Sequence, residues 1–421
     1  MIKIEIGNSY SKITGLSASQ EKELRNALSY TVGGSSAYFS GYGVRKKSLL
    51  SKRGEYPTGL MHRIALKPDV IVDNRVKPYI RLRDWSVDTS PYEWQVQSVY
   101  TAHEANRGII TAPTGTGKSL AMKILIQSLK LNTLVIVPTL EIKRQLQQVL
   151  PKGVIVENID SRKLKNINTY KGIDCLIIDE AHHSASKTYR TLNKTMWNNI
   201  FYRFFYTATP FRNDTEETLL FEAIAGEVIY KLDYKTAIKK GYIVPVEAYY
   251  IEIPKQKNDY YTWPEVYKNL VVNNSLRNNM IFSLLSSLYA AGKSALCLVK
   301  EIQHGNNINY PAFVHGEDDE TRFLIDKFSS GVIKGLVGTE GILSEGVDTR
   351  ACEYVILAGL GKAKSRIMQA VGRGLRKYPG KESCKVILIK DRSHKYTLRH
   401  YAAQVKIIRE EYGVEPVKLE L

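Results

Sequence analysis

Eight consecutive residues, Ala112-Pro113-Thr114-Gly115-Thr116-Gly117-Lys118-Ser119, have the types and spacing to hold phosphate groups. They follow the apolar run GIIT and precede the amphipathic stretch SLAMKILIQSLK, so a strand should lead through a tight turn into a helix. In such a turn the backbone N–H groups of Thr114, Gly115, Thr116 and Gly117 curl around phosphate oxygens at the positive end of the helix dipole. Lys118 would reach the β and γ phosphates, and the Ser119 hydroxyl would ligate Mg²⁺. Ala112 stands where the general pattern has glycine. Asp179 and Glu180, in IIDEAHH, end a second apolar run. Phosphoanhydride hydrolysis needs one carboxylate for the metal shell and one to orient and deprotonate water. Asp179 takes the first role and Glu180 the second. Adjacent histidines cannot easily share one ion, so His182 reads as a polar coupler between this site and the rest of the domain, not as a metal ligand. ATP and Mg²⁺ are the expected substrate and cofactor.

These loops need strands to launch them. Short apolar runs, GIIT at 108, TLVIVP at 133, CLIIDEA at 175 and FFYTATP at 204, alternate with amphipathic stretches, which predicts a parallel sheet with crossover helices. A second series comprises ALCLVK at 295, AFVHG at 312, GLVGTE at 335, YVILAG at 354 and KVILIKD at 385. The expected class is α/β, with two parallel-sheet domains in tandem at 86–230 and 294–421. Residues 231–293, including the strand-like VPVEAYYIEI and the aromatic KQKNDYYTWPEVY, read as a connector with some structure of its own. Residues 1–85 show glycine, serine and tyrosine clusters and basic runs without a strand–helix rhythm, and read as a small accessory domain.

The chain has 421 residues, 43% hydrophobic and 24% charged, which suits a globular protein of two or three domains. With 60 Lys+Arg against 42 Asp+Glu the net charge is +18, favouring a polyanionic partner such as nucleic acid over lysines that merely aid solubility. Cys175, Cys297, Cys352 and Cys384 lie far apart and indicate neither a zinc site nor a disulfide framework. The opening MIKIEIGNSYSK lacks a long apolar run, and no stretch approaches membrane-spanning length. A reducing, cytoplasmic setting is expected, with no membrane partner.

Asp179-Glu180-Ala181-His182 resembles the DEAH box of superfamily 2 helicases, and other motifs fall in order around it. Their domains are RecA-like, so the resemblance implies two RecA-like sheets. Gln95 is similar to the upstream glutamine that reads adenine, with Tyr92 or Trp94 as stacking partners. Pro138-Thr139 resembles motif Ia, which contacts the nucleic-acid backbone, and Ile159-Asp160-Ser161 stands where motif Ib would fall. Thr207-Ala208-Thr209-Pro210 resembles motif III, which links hydrolysis to domain movement. Gly338-Thr339 and Glu345-Gly346-Val347-Asp348 resemble motif V, whose threonine touches phosphate and whose acid lies near the nucleotide. Gln369-Ala370-Val371-Gly372-Arg373-Gly374-Leu375-Arg376 fits motif VI. It implies that Arg373 and Arg376 stabilise transition-state charge from the opposite domain, while Gln369 orients water or the γ-phosphate.

The resemblance spans roughly residues 90–400. TATPFR and GYIVP look most like bacteriophage helicases of recombination and branch migration, with repair helicases related to the XPB subunit next. That implies a monomer acting on single-stranded and branched DNA, 3′ to 5′, at forks and Holliday junctions in recombination, repair or replication, within a bacterial host's cytoplasm. Duplex translocation without strand separation and RNA unwinding are the alternatives, and an inactive scaffold is disfavoured because every catalytic residue type is present.

Two further segments keep two readings each. Tyr38, Tyr42, Arg45, Lys46, Lys47, Lys52 and Arg53 either bind duplex arms at a junction or form a solvated loop. Tyr260, Tyr261, Trp263 and Tyr267 either stack on bases or pack a hinge or core.

Overall fold

In the computed structural model, which describes residues 1–32, 45–80, 87, 90–208, 215–316, 319–343, 349 and 351–419, the apolar runs become parallel strands. The chain divides into two units, residues 1–112 with 117–232, and residues 113–116 with 233–421.

The first unit opens with β1 Lys3–Ile6, β2 Tyr10–Thr14, helix α1 Ala18–Ala27, β3 Ser29–Val32, β4 Arg45–Ser48, β5 Glu55–Pro57 and β6 Val70–Asp73. β1, β2, β5 and β6 make a small mixed sheet in the order β5-β2-β1-β6, while β3 and β4 pair as a separate antiparallel ribbon. Alternation buries Ile4, Ile6 and Ile13 on one face. At three to five residues per strand this pattern is too short to stand out in the sequence. α1 starts on a capping box in which Ser17 Oγ accepts from the Gln20 N–H at 3.3 Å and Gln20 Oε1 accepts from the Ser17 N–H at 2.9 Å.

The main sheet of this unit comprises β7 Arg107–Thr111, β8 Thr133–Val137, β9 Ile155–Asn158, β10 Cys175–Ile178, β11 Tyr202–Thr207 and β12 Val228–Lys231. All pairings are parallel, in the order β12-β7-β11-β10-β8-β9. Its helices are α2 Glu93–Ala105, α3 Lys118–Leu129, α4 Leu140–Val149, α5 Lys187–Thr195 and α6 Thr215–Ala225. β8 and β10 are buried along their whole length, as expected for strands covered on both faces. β9 escapes the sequence pattern because half of it is polar. Its Glu157 is buried against Lys143 at 2.8 Å and Lys163 at 3.3 Å, and Asn158 donates to the Pro138 carbonyl at 2.7 Å.

The N-terminal sheet shares one hydrophobic core with α6: Ile4, Ile13, Leu28 and Tyr56 pack with Leu219, Leu220 and Ala223. Two arginines extend the seam. Arg203, fully buried, donates to Ser9 Oγ at 3.1 Å, Asn193 Oδ1 at 2.8 Å and the Ile200 carbonyl at 2.9 Å, and also to the Trp197 carbonyl. Arg107 donates to the Asn8 carbonyl at 2.7 Å, and burial pulls its pKa down to about 9. Glu222 of α6 meets His62 at 3.2 Å and Arg63 at 2.5 Å.

The second unit contains α7 Tyr234–Lys239, β13 Val246–Ile253, α8 Ser275–Ala290, β14 Ala295–Val299, α9 Ile302–Ile308, β15 Phe313–Val314, β16 Gly335–Thr339, β17 Tyr354–Leu357, α10 Lys364–Gly372, β18 Cys384–Asp391, α11 Lys395–Tyr412 and β19 Val417–Lys418. Its seven strands are parallel, in the order β15-β16-β14-β17-β18-β13-β19. The stretch read as a connector supplies β13, in unbroken register with β18 from Val246↔Cys384 to Ile253↔Asp391. It also supplies α8, whose Ile281, Leu284 and Leu285 enter the core. The four cysteines are free and buried, their thiols raised to about 12 by burial. Among the described residues no helix is long and apolar enough to cross a membrane.

Burial opposes ionisation of Glu222, but hydrogen bonds from His62 and Arg63 and the Arg63 charge outweigh it and hold its carboxyl below the ordinary range. The stabilisation is present above the unfolded carboxylate pKa of about 4.3 and fades as pH falls through the lower folded value. Glu222→Gln should therefore cost about 1–3 kcal/mol at pH 7, read by urea unfolding, with a gap that narrows as pH falls below about 4, toward about 3. An equal cost at both pH values would contradict the ion-paired reading.

Candidate functional site

The parallel register brings the loops of the first unit to one edge. Thr207 sits level with Thr111, Phe205 with Ile178, and Ile178 with Ile136, so β7, β11, β10 and β8 end nearly together. The phosphate-type loop, Asp179–His183, Pro138–Thr139 and Ala208 all leave from this carboxyl edge, where open α/β sheets bind ligands. The loop is tied to its neighbour strand by the Ala112 N–H, which donates to the Thr207 carbonyl at 3.1 Å.

The turn between β7 and α3 requires glycine at two places, Gly115 at φ +89° and Gly117 at φ +86°. Thr116, fully buried, donates its hydroxyl to the Pro113 carbonyl at 2.8 Å. The Lys118 ammonium folds back over the loop and donates to the Ala112 carbonyl at 3.3 Å. Ser119 follows, half-buried, in the first turn of α3. Thr114 lies half-buried in the loop.

Gln95 braces this turn. Its Oε1 accepts from the Tyr92 N–H at 2.8 Å and its Nε2 donates to the Gly117 carbonyl at 2.9 Å. A side chain at position 117 would collide with that amide, 2.6 Å from an ideal Cβ. Trp94 is buried against Tyr230, which removes it as a base-stacking partner, whereas Tyr92 is half-buried.

Asp179 and Glu180 leave β10 through a strained turn, for Glu180 has φ +44°, the left-handed region that a non-glycine residue rarely adopts. Asp179 Oδ1 accepts the Glu180 N–H at 2.9 Å. His182, buried, places Nδ1 at 3.1 Å from the Thr207 hydroxyl and 3.5 Å from the Glu180 carboxylate. The expected coupling residues His182 and Thr207 are thus in contact, and through Thr207 they touch the strand beside the phosphate loop. Thr209 lies outside the described residues. His183 stacks on His182 with ring centroids 4.1 Å apart.

In the second unit, Gly338 and Thr339 end β16, with Thr339 buried. Glu340, next in sequence, accepts from Arg366 of α10 at 3.0 Å. Gln369 lies half-buried on α10, Arg373 is buried just beyond its end, and Arg376 is half-buried three residues further on. The Thr349 hydroxyl fixes the Arg373 carbonyl at 2.9 Å. Asp348, with Glu345, Gly346 and Val347, falls outside the described residues.

The nucleic-acid contacts expected from sequence also have local duties. Thr139 caps α4 by accepting from the Ile142 N–H at 3.2 Å, and the Pro138 carbonyl serves Asn158. Asp160 and Ser161 follow β9, where Ser161 Oγ caps a short 3₁₀ turn. Lys46 and Lys47 are exposed on β4, and Lys52 and Arg53 in the turn after it, while Tyr38 and Tyr42 lie outside the described residues. Trp263 packs against Tyr267, Tyr396 and His400, and the Tyr267 hydroxyl donates to the Gly359 carbonyl at 3.3 Å, which favours packing over base stacking for these two. Tyr261 stays 82% exposed.

The chain is similar to helicases of superfamily 2. Residues 86–158 and 152–212 match the family profile of the type III restriction enzyme res subunit. Among relatives, a protein designated helicase 22 of Sulfolobus islandicus filamentous virus is 23% identical over 93% of this chain and 80% of its own length. The DNA 3′-5′ translocase XPB2 of Sulfurisphaera tokodaii is 24% identical over 72% and 80%. The ATP-dependent DNA helicase uvsW of Enterobacteria phage T4 is 22% identical over 69% and 66%. The expected likeness to phage and XPB-related helicases is thus found. Among solved structures, a fragment of an HsdR subunit of a type I restriction enzyme from Vibrio vulnificus YJ016 superposes with a TM-score of 0.60 at 19% identity, over 79% of this chain and 68% of that one, and shows the RecA-like fold.

Gln95→Ala removes both amide ties of the phosphate loop. Affinity for a fluorescent ATP analogue should fall about tenfold, the equivalent of about 1.4 kcal/mol. Wild-type affinity would show that the loop holds its shape unaided.

Proposed function

We propose that this protein is an ATP-dependent DNA helicase or translocase. The observation that carries the reading is the convergence at one sheet edge of the phosphate-type loop, Asp179 and Glu180, and the His182–Thr207 contact. Backbone amides of Thr114–Gly117 and the Lys118 ammonium hold the β and γ phosphates, and Gln95 positions the loop and faces the adenine. Oxygen donors from Ser119 and Asp179 suit Mg²⁺, which when bound offsets phosphate charge. Glu180 orients water for in-line attack. Gln369, Arg373 and Arg376 of the second unit, with Asp348, complete the site when the two units close on the nucleotide, and the change passes through His182 and Thr207 to the nucleic-acid-facing loops. Pro138, Thr139 and Thr339 hold the DNA backbone.

The basic surplus of the chain and the DNA activities in the names of two relatives support DNA over RNA. The name of the Sulfurisphaera relative supports 3′ to 5′ movement, and the basic accessory region within residues 1–85 supports work on forked and four-way junctions during recombination, repair or replication. The catalytic unit is a monomer on single-stranded or branched DNA.

Lys118→Ala should abolish DNA-stimulated phosphate release, and wild-type turnover in that variant would refute the site. Arg373→Ala and Arg376→Ala should each retain ATP binding while kcat falls at least a hundredfold, since their charge acts on the transition state. Unchanged turnover in both would remove them from the mechanism. Displacement assays on tailed duplexes, forks, four-way junctions, triplexes and RNA duplexes test the substrate. Triplex displacement without duplex unwinding would favour a translocase that leaves strands paired.

A further inference from the structure

A second cationic feature lies within the first unit, away from the phosphate loop. α5, the helix after the Asp179–His183 turn, carries Lys187, Arg190 and Lys194 at spacings of three and four residues, which align them on one face. They form one wall of a cavity of about 390 Å³, whose other wall comes from the N-terminal module: Tyr10 of β2, Lys47 of β4, Leu49 and Pro57. The floor is α6, through Leu220, Ala223 and Ile224.

Among the described residues no carboxylate lines this cavity and none of its four cations is ion-paired. Lys47 and Lys187 are exposed, and the buried Arg190 Nε has no hydrogen-bond partner. Glu55 flanks Tyr10 outside the lining. Lys187 and Arg190 also line a neighbouring cavity with His182 and His183, so the cationic face runs on to the histidines of the ATP-site turn. Glu216 and Glu217 line that second cavity.

We propose that this groove clamps the sugar-phosphate backbone of duplex DNA. The inference rests on the DNA-motor reading above and assigns that motor a duplex contact made jointly by the accessory module and α5. Four unpaired cations facing one cleft match a polyanion. Single strands are gripped through aromatic platforms, and this cleft offers one tyrosine among lysine stems and aliphatic side chains. Lys187 and Lys194 stand about 10 Å apart along the helix, at about 1.5 Å per residue, which lets them meet separate phosphates. Because Arg190 lines both cavities, a phosphate held there adjoins the histidines of the ATP-site turn.

The test uses the full chain, a blunt 20-base-pair duplex and a dT20 single strand as probes, followed by anisotropy across a salt series. Lys187→Ala/Lys194→Ala should weaken duplex binding about tenfold and flatten the log–log salt slope by about 1.8, while dT20 affinity and ATP hydrolysis without DNA stay within twofold. Arg190→Ala should lower duplex-stimulated turnover, with Arg190→Lys restoring much of it. Unchanged duplex affinity and slope would overturn the proposal, as would an equal loss on dT20, which would make the groove a single-strand site. Failure of any DNA to stimulate the wild-type enzyme would instead overturn the motor reading itself.

Discussion

Everything at the candidate nucleotide site depends on parallel strands ending at a common edge. β7, β11, β10 and β8 are locked in register by backbone hydrogen bonds and by apolar side chains buried on both faces, so their exits cannot slide independently. A one-residue slip of β10 would turn its buried side chains to the opposite face and move Asp179 off the edge. The chemistry is thereby fixed by a core that contains none of the reacting groups, and the strained backbone at Glu180 is borne by that framework.

The polar contacts around the edge form a chain. Gln95 braces Gly117, the Ala112 N–H reaches the Thr207 carbonyl, and the Thr207 hydroxyl faces His182, which lies beside Glu180. These contacts link the phosphate-type loop to the carboxylate turn through two neighbouring strands. The N-terminal module is fastened to the same unit by the buried Arg203 and Glu222 and the half-buried Arg107, whose partners are chiefly backbone carbonyls or ion-pair mates. Such groups are costly to leave unpaired, so the module cannot lift away without exposing several at once.

The main strands were legible because each is an apolar run bounded by turn residues, and the phosphate loop was legible because its glycines and Lys118 are adjacent in sequence. The His182–Thr207 pair was expected as two coupling residues, but its contact across two strands needed coordinates. β9 was not legible, since Glu157 and Asn158 are buried by partners distant in sequence. β13 read as part of a connector because nothing local says that its mate is β18, more than a hundred residues away. The N-terminal sheet was missed for its short strands, and the fit of Gln95 under Gly117 depends on a loop conformation that no spacing reveals.

The proposed function requires that Lys118 and Glu180 of the first unit and Arg373 and Arg376 of the second act on one triphosphate. The four native cysteines are buried, so Lys152→Cys and Lys362→Cys can carry a spin-label pair, one on each unit. Electron–electron distance measurement with ADP, aluminium fluoride and Mg²⁺ should give a single shortened distance, absent without nucleotide and lost when both arginines are replaced by alanine. A distance distribution indifferent to nucleotide, or a closure that survives loss of both arginines, would contradict it.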